Sequence, residues 1–204
     1  MDMTEYIYKT RKIIGIGPNF KAFRHQKGIT HTDDPFLSFK SPESLVEDRD
    51  VYLSPLLTEF ICEVEMAVVI GQDAKNISEQ EVPSIVAGYA IANDITASAH
   101  FDTGRFKMFD QTTPIGALVE SVDPRDVDLE MWVNGELIQK DNTRELLFSA
   151  HWIIAHISQI ATLRQGDVIL TGTPANPRYC QFGDVIELRS PQLGNHIHKL
   201  HRGL

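Results

Sequence analysis

The sequence of 204 residues predicts an α+β fold that is mostly β and mostly antiparallel. Many short apolar runs are bounded by turn-forming residues, only one segment has clear helical spacing, and strands do not alternate regularly with helices. The last point argues against a doubly wound parallel sheet. With 42% hydrophobic residues, the chain fits a single domain over residues 1–204. Residues 1–45 could form a small N-terminal appendage.

The N-terminal part predicts a strand, a brief helix and a second strand. The strand KIIGIG ends in Gly-Pro, residues 19–27 are expected to form the helix, and PFLSFK is expected to form the second strand, ending at Lys40. The Gly15-Ile16-Gly17 stretch is a weak match to a dinucleotide-binding loop. Phe20 stands where the third glycine belongs, and Pro18 removes an N–H that would bind phosphate.

The middle of the chain predicts three strands, a short helix and a hairpin. Ser78 and Glu81 have the spacing of a capping box, which predicts the helix there. Asn134-Gly135 lies between two strand-like runs and is the strongest hairpin signal in the chain. The strands are EVEMAVVIG (63–71), GYAIAND (88–94) and TPIGALVES (113–121).

The C-terminal part predicts the clearest helix of the chain, over residues 146–160, because its apolar residues recur at helical spacing. Three short strands follow, separated by turns. They are GDVILTG (166–172), GDVIELRS (183–190) and NHIHKL (195–200).

Composition excludes several classes of function. The net charge is −9 and the 19 Lys and Arg residues are scattered, so no nucleic-acid partner is expected. Only Cys62 and Cys180 are present, so a reducing, cytoplasmic environment is expected rather than a disulfide framework. The N-terminus lacks the pattern of a signal peptide and no apolar run approaches the ~18 residues of a membrane span. No membrane partner is expected.

Glu63 and Glu65 place two carboxylates on one face of a strand, because residues i and i+2 point the same way. They would repel each other unless a cation lies between them. A solvated face is the simpler interpretation. The apolar run that follows, from Met66 to Ile70, instead indicates a strand entering the core, where charges need pairing or a metal.

A hard divalent cation such as Mg²⁺ takes oxygen ligands, so a metal site here needs a third carboxylate. Asp94 is the candidate, because it closes an apolar strand where polar residues begin. It could equally cap a helix that starts at Ile95. The residues alone leave both roles open.

Other polar residues are weaker candidates for substrate contacts. Lys107 could offer positive charge to an anionic substrate, although a lone lysine is usually solvated. Thr173, in TGTPA, could bind a carboxylate through its hydroxyl and nearby N–H groups, although a plain turn explains it as well. Two pairs of histidines are expected to be structural or surface residues: His151 with His156, and His196 with His198.

Seven blocks of the sequence, in order, resemble those of the fumarylacetoacetate hydrolase (FAH) family. They are KIIGIGPNF, SFKSPES, EVEMAVVIG, VAGYAIANDITAS, WVNGELIQKDNT, LRQGDVILTGTPA and FGDVIEL, spanning roughly residues 11–190. Each block is modest by itself. The ordered set, with its ExE, ND, NGE and GDVILTGTP motifs, is highly specific.

The resemblance implies a mixed β-sandwich roll with few helices, usually a homodimer, that binds Mg²⁺ or Mn²⁺ through three carboxylates. It implies a small-molecule 2-oxo acid as substrate. Family members hydrolyse C–C bonds of acylpyruvates, decarboxylate oxaloacetate-like acids, or interconvert enol and keto forms. By matching motifs, Glu63, Glu65 and Asp94 would be the metal ligands, Lys107 the active-site lysine, and Thr173 and Lys40 the substrate-binding residues.

The sequence departs from the family pattern where hydrolases activate water. Phe23 and Gln26 match the positions of a histidine and a glutamate, and neither can act as a general base. His25 lies close by, but would face elsewhere on a helix. Ser98 and Ala99 replace an arginine and an aspartate after the ND motif.

The sequence therefore predicts a divalent-metal-dependent enzyme acting on an acylpyruvate or oxaloacetate-like acid through a metal-stabilised enolate. The reaction would be C–C bond hydrolysis or decarboxylation. A keto–enol tautomerase, or an impaired homologue that only binds metal and ligand, is the alternative, because the usual water-activating residues are missing.

Overall fold

The computed structural model describes residues 6–31 and 33–204, in which two five-stranded sheets pack face to face. The strands are β1 Ile13–Gly17, β2 Phe36–Lys40, β3 Leu45–Val46, β4 Asp50–Leu53, β5 Phe60–Cys62, β6 Val64–Ile70, β7 Val86–Asn93, β8 Thr113–Pro114, β9 Asp128–Val133, β10 Glu136–Asn142, β11 Val168–Leu170, β12 Arg178–Cys180, β13 Val185–Ser190 and β14 Gly194–Arg202. The first sheet has the order β2-β1-β11-β6-β7, and the second has the order β10-β9-β13-β14-β4. Two short ladders, β12-β5 and β3-β8, flank them.

The sheets are mixed, and most neighbouring strands are antiparallel. The pairs β1–β11, β4–β14 and β3–β8 are parallel. Every other strand pair in the described residues is antiparallel. The prediction of a mostly β, mixed fold is thus confirmed, and the first two strands belong to the same sheet as the central strand β6.

Strand β6 is buried on both faces and contributes to two apolar clusters. Met66, Val68 and Ile70 point into the main core between the sheets. Ala67 and Val69 point the other way, into a smaller cluster on the outer face of the first sheet. This double burial explains why the strand reads as a continuous apolar run.

Helices are few and short. Apart from Tyr6 and Ile7, which are helical at the start of the described residues, the α-helices of the described part of the chain are α1 Lys21–Gln26, α2 Val82–Ile85 and α3 Ala150–Ile160. Its 3₁₀ helices are Pro42–Ser44, Ser98–Thr103 and Thr143–Glu145. None of the helices in the described part of the chain is long and apolar enough to cross a membrane.

Helix α3 begins later than the sequence predicts. The prediction started it at residue 146, but the Oγ of Ser149 accepts a hydrogen bond from the N–H of Trp152 at 3.1 Å and caps the helix there. Leu146 has an extended backbone and pairs with Phe20 instead. Leu146 is nevertheless buried, which explains why it fits the apolar pattern.

The predicted helix at residues 77–82 is also wrong in its bounds. The Glu81 carboxylate accepts hydrogen bonds from the N–H and the hydroxyl of Ser78, at 2.9 and 2.8 Å. These bonds close a turn. The single helical turn α2 follows that turn, and Pro83 lies at the start of α2. Proline is tolerated there because the first N–H groups of a helix have no partner within it.

The predicted strand at 113–121 forms a regular ladder only at β8, Thr113–Pro114. Beyond it, the segment touches β7 at two isolated bridges, Ile115 with Ala92 and Val119 with Tyr89. Between these two bridges the segment advances by four residues while β7 advances by three. The one extra residue interrupts the regular pairing of the two segments. The predicted hairpin at Asn134-Gly135 is confirmed, since both residues have positive φ, 51° and 84°, as a type I′ turn requires.

Candidate active site

A cavity of about 430 Å³ opens beside the ends of β6 and β7. Its size falls within the usual range for small-molecule sites. Five of its polar lining residues are predicted site residues: Glu63, Glu65, Asp94, Lys107 and Thr173. Thr96, two residues after the ND motif, and the ring of Phe23 also line it.

Strand geometry brings the two glutamates together. Glu63 occupies the single residue between β5 and β6, and Glu65 is the second residue of β6. Ile61, Glu63 and Glu65 alternate with Cys62 and Val64, which are buried in the main core. The alternation of a strand therefore turns both carboxylates into the cavity, as predicted.

Asp94 lies opposite Glu63 because it extends the ladder between β6 and β7. Its N–H donates to the carbonyl of Glu63 at 2.8 Å, and Thr96 pairs with Ile61 one step further on. The side chain of Asn93 supports the same backbone, since its Oδ1 accepts from the N–H of Glu63 at 2.9 Å. Asp94 does not cap a helix, so the alternative role is excluded by its position.

Lys107 lies between the carboxylates. Its Nζ donates to Oδ2 of Asp94 and to Oγ1 of Thr96, and is 3.4 Å from Oε2 of Glu63. Thr96 in turn donates to Oε2 of Glu63. Burial opposes the charged form of Lys107, but Asp94 and Glu63 outweigh it and raise the pKa of this ammonium above its usual value. Lys107 is thus held as a cation rather than as a base.

Lys40 ends β2 on the other side of Asp94. Its buried Nζ donates to Oδ1 of Asp94 at 2.6 Å and to the carbonyls of Ile95 and Thr112 at 3.1 and 2.8 Å. These contacts use all three donors of an ammonium group. Burial lowers the pKa of Lys40 to about 8, although Asp94 opposes this shift. Lys40 does not line the cavity, and its contacts hold Asp94 in place. Its role in substrate binding stays a prediction.

The carboxylates differ in their surroundings. Burial raises the pKa of Glu65 well above its usual value, and the nearby charge of Asp94 adds to this effect. Burial also raises the pKa of Glu63, although Lys107 opposes it. Burial acts on Asp94 too, but the two lysines beside it outweigh burial and lower its pKa. Asp94 is therefore the carboxylate that is most firmly ionised.

The loop after β11 closes the cavity near Glu65. The N–H of Gly172 donates to Oε2 of Glu65 at 2.6 Å. The Oγ1 of the buried Thr173 accepts from Nε2 of Gln139 at 2.9 Å, and the same amide also donates to the carbonyl of Pro174. Because Thr173 accepts this bond, its own hydroxyl proton is free to point into the cavity.

The segment that matches the water-activating residues of the hydrolases places an apolar ring at the cavity instead. Phe23, on α1, is buried and lines the cavity. Gln26 faces the loop after β11, where its side chain exchanges hydrogen bonds of 3.1 Å with Asn176. His25 is exposed and does not line the cavity. Ser98 and Ala99 begin a 3₁₀ helix and are also outside the lining.

Three residues that support the site were not predicted from the sequence. Thr96 joins Lys107 to Glu63, Gln139 orients Thr173, and Asn93 links Glu63 to the ring of His198, whose Nε2 is 3.0 Å from Nδ2 of Asn93. A buried Gln on a strand such as β10 is unusual enough to have signalled a role, but nothing in the local sequence identifies its partner.

The three carboxylates supply the type of oxygen ligand that a hard divalent cation takes. Glu65 accepts one N–H bond and pairs with no cationic side chain among the described residues. Three carboxylates face two lysines, so one carboxylate is left without a cationic partner. As the side chains stand, however, no group of three or more His, Cys, Asp or Glu residues in the described ranges could hold a metal ion. The ammonium of Lys107 contacts both Glu63 and Asp94 in this arrangement.

Comparison with known proteins defines the class. Residues 12–201 match the family described as fumarylacetoacetate (FAA) hydrolase C-terminal, which is nearly the whole chain. The chain therefore belongs to the FAH family, as its motifs predicted. Members of this family are enzymes acting on oxo acids, among them hydrolases, isomerases and decarboxylases.

Three relatives illustrate the range. The mitochondrial oxaloacetate tautomerase Fahd2a of Rattus norvegicus is 34% identical over 93% of this chain and 66% of its own length. The crystal structure of 5-carboxymethyl-2-hydroxymuconate delta-isomerase from Mycobacterium smegmatis is 29% identical, with a TM-score of 0.87 over 96% of this chain and 80% of that chain. Fumarylpyruvate hydrolase from Pseudomonas aeruginosa, solved in complex with Mn²⁺ and pyruvate, is 24% identical with a TM-score of 0.85, covers 95% and 90%, and shares the fold.

Proposed function

We propose that this protein interconverts the enol and keto forms of a small 2-oxo acid, with Mg²⁺ or Mn²⁺ held by Glu63, Glu65 and Asp94. One observation carries the choice of reaction. The described residues that line the cavity include carboxylates and Lys107 but no histidine, and Phe23 occupies the expected position of the base. Hydrolysis of a C–C bond needs an activated water, whereas tautomerisation needs none.

Tautomerisation moves one proton between C3 and the 2-oxo oxygen, so it requires stabilisation of an enolate. A bound divalent cation would supply positive charge beside that oxygen. The ammonium of Lys107 adds a second positive charge within the same buried group of residues. The hydroxyl proton of Thr173 is free to bind the substrate carboxylate, because Gln139 already donates to its oxygen.

The relatives support an isomerase. The rat protein is an oxaloacetate tautomerase and the mycobacterial protein is a delta-isomerase, and both reactions shift a proton without adding water. Decarboxylation uses the same enolate and is the second candidate. The two candidates differ in product, since decarboxylation releases CO₂ and tautomerisation conserves every atom of the substrate.

The test follows the decay of enol-oxaloacetate in ultraviolet light, with NMR identifying the products. Purified wild-type protein with Mg²⁺ is compared with two variants, Glu65→Gln and Glu79→Gln. Glu79 is exposed and does not line the cavity, so E79Q is the control for the same substitution. We expect accelerated ketonisation by the wild-type protein and E79Q, and a loss of at least about 100-fold in E65Q. Pyruvate as the first product would favour decarboxylation, and ketonisation no faster than the uncatalysed rate would contradict the proposal.

We also propose that the chain forms a homodimer, as the family resemblance implies. Light scattering coupled to size-exclusion chromatography tests this directly. A mass matching a single 23.0 kDa chain across micromolar concentrations would contradict it.

A further inference from the structure

The cavity has two chemically different ends. The polar residues lie deep, since Glu65, Asp94 and Thr173 are all at most 4% exposed. The outer part is apolar and aromatic, and an aromatic wall of Phe36, Phe101 and Phe106 stands beside it. A ligand that reaches from the carboxylates towards solvent can therefore pack on this wall.

The aromatic wall is built around Phe106. The ring centroid of Phe106 is 4.9 Å from that of Phe101 and 6.3 Å from that of Phe36. Phe36 and Phe101 are 62% and 51% exposed, which is unusual for three clustered aromatic rings. The wall is coupled to the polar end because Phe106 directly precedes Lys107, and its carbonyl accepts from the N–H of Ala97 at 2.8 Å.

Positive charge is scarce where the far end of a substrate would lie. Among the described residues that line the cavity, the cationic side chains are Lys107 and Lys27. Lys107 is already hydrogen-bonded to Asp94 and Thr96. The other, Lys27, is exposed, and its Nζ lies 5.4 Å from the centroid of the Phe23 ring. A second carboxylate on the substrate would therefore depend on one solvated lysine.

We propose that the substrate is a 2-oxo acid whose arm beyond C3 is apolar, with an aromatic ring as the best fit, and that Phe106 determines this specificity. The inference rests on the proposed function and deepens it. The 2-oxo acid end binds at the carboxylates and Thr173, and the arm packs on the aromatic wall. Offset or edge-to-face contact with these rings favours an aromatic arm over a charged one.

The kinetic test compares ketonisation of enol-phenylpyruvate and enol-oxaloacetate by wild-type protein, Phe106→Ala and Lys27→Gln. We expect wild-type kcat/KM to be higher for phenylpyruvate. F106A should lower it for phenylpyruvate by about tenfold or more and change it for oxaloacetate by less than about threefold. K27Q should lower kcat/KM for oxaloacetate more than for phenylpyruvate, because only oxaloacetate carries a second carboxylate. Phe101→Ala, at an exposed ring, should give a smaller loss in the same direction and guards against misfolding of F106A.

A binding measurement separates this inference from the proposed reaction. Calorimetry with the unreactive analogues N-phenyloxamate and N-oxalylglycine should show tighter binding of the phenyl compound, and this preference should be lost in F106A. If N-phenyloxamate binds through Phe106 but neither substrate is ketonised, the apolar arm stands and the proposed reaction fails. If oxaloacetate is preferred and K27Q abolishes the preference, the reaction stands and the apolar arm is overturned. A change of oligomeric state in F106A would show that the aromatic wall is a subunit contact, and this result would also overturn the proposed apolar arm.

Discussion

The ammonium of Lys40 is buried and lies 2.6 Å from Oδ1 of Asp94. Its other donors bind the backbone carbonyls of Ile95 and Thr112. Lys40 thus ties the end of β2 to the segment after β7, and it holds one carboxylate of the site in place. Loss of this lysine would leave Oδ1 of Asp94 and two backbone carbonyls without their partner, in a buried place.

Replacing Lys40 by Met should lower the free energy of unfolding by about 3–5 kcal/mol, because a buried pair would lose one member. Urea denaturation measures the change. Lys21→Met is the matched control, since Lys21 is exposed and its Nζ is 3.4 Å from Oε2 of Glu145. K21M should cost less than about 1 kcal/mol. Equal costs for the two variants would show that the Lys40 contacts contribute little.

Gly172 cannot be replaced without moving its neighbours. A Cβ there would lie 2.8 Å from Cβ of Asn19, and the residue has a φ of 103°. Gly172→Ala should therefore destabilise the protein by at least about 2 kcal/mol more than Gly28→Ala. Gly28 also has positive φ, 68°, but a Cβ added there would have no heavy atom of another segment within 4 Å. Thermal or urea unfolding of both variants measures the difference, and equal destabilisation would refute the steric argument.

Asn93 positions Glu63 without lining the cavity. Asn93→Ala should weaken Mg²⁺ binding by about 10–100-fold, because the N–H of Glu63 and the Nε2 of His198 would both lose their partner. Isothermal calorimetry measures the affinity independently of turnover. Asn195→Ala, at an exposed position on β14, is the control and should bind Mg²⁺ normally. Unchanged affinity in N93A would show that Glu63 keeps its place unaided.

Divalent metal should stabilise the folded protein, because a cation would neutralise Glu65, which has no cationic partner among the described side chains. At a Mg²⁺ concentration about 100 times its Kd, the gain is about 2.7 kcal/mol. Thermal unfolding after EDTA treatment, with and without added Mg²⁺, measures it. The midpoint should rise in the wild type and E79Q, and stay constant in E65Q. A rise of the same size in E65Q would exclude Glu65 as a ligand.

Two buried histidines on β14 should make the protein sensitive to acid. Burial lowers the pKa of His198 to about 3 and that of His196 to about 4, from 6.5. Between those values and 6.5 the unfolded chain binds protons that the folded chain does not. Stability is therefore complete above about pH 6.5 and falls below it, by up to about 1.4 kcal/mol per pH unit for each histidine.

Urea denaturation between about pH 7.5 and pH 5 measures this slope. His196→Phe should reduce it by about one proton, because the buried Nε2 of His196 has no hydrogen-bond partner among the described residues and an apolar ring can replace it. An unchanged slope in H196F would assign the acid sensitivity to other groups.

Local patterns in the chain were sufficient to predict much of this protein. Turn chemistry predicted the hairpin at Asn134-Gly135, because positive φ is a property of those two residues. Strand alternation predicted that Glu63 and Glu65 face the same way, because the period of two is built into the backbone. Helix bounds were predicted less well. The start of α3 depends on the cap at Ser149, and the buried Leu146 continues the apolar pattern beyond it.

The partners of the charged groups could not be read from the sequence. Lys40 and Asp94 are 54 positions apart, and Gln139 and Thr173 are 34 apart, so only the packing of β2, β7, β10 and β11 brings them together. The same holds for the aromatic wall, since Phe36 and Phe106 become neighbours only in the folded chain. Periodicity describes which way a side chain points, but which side chain it meets depends on contacts between distant segments.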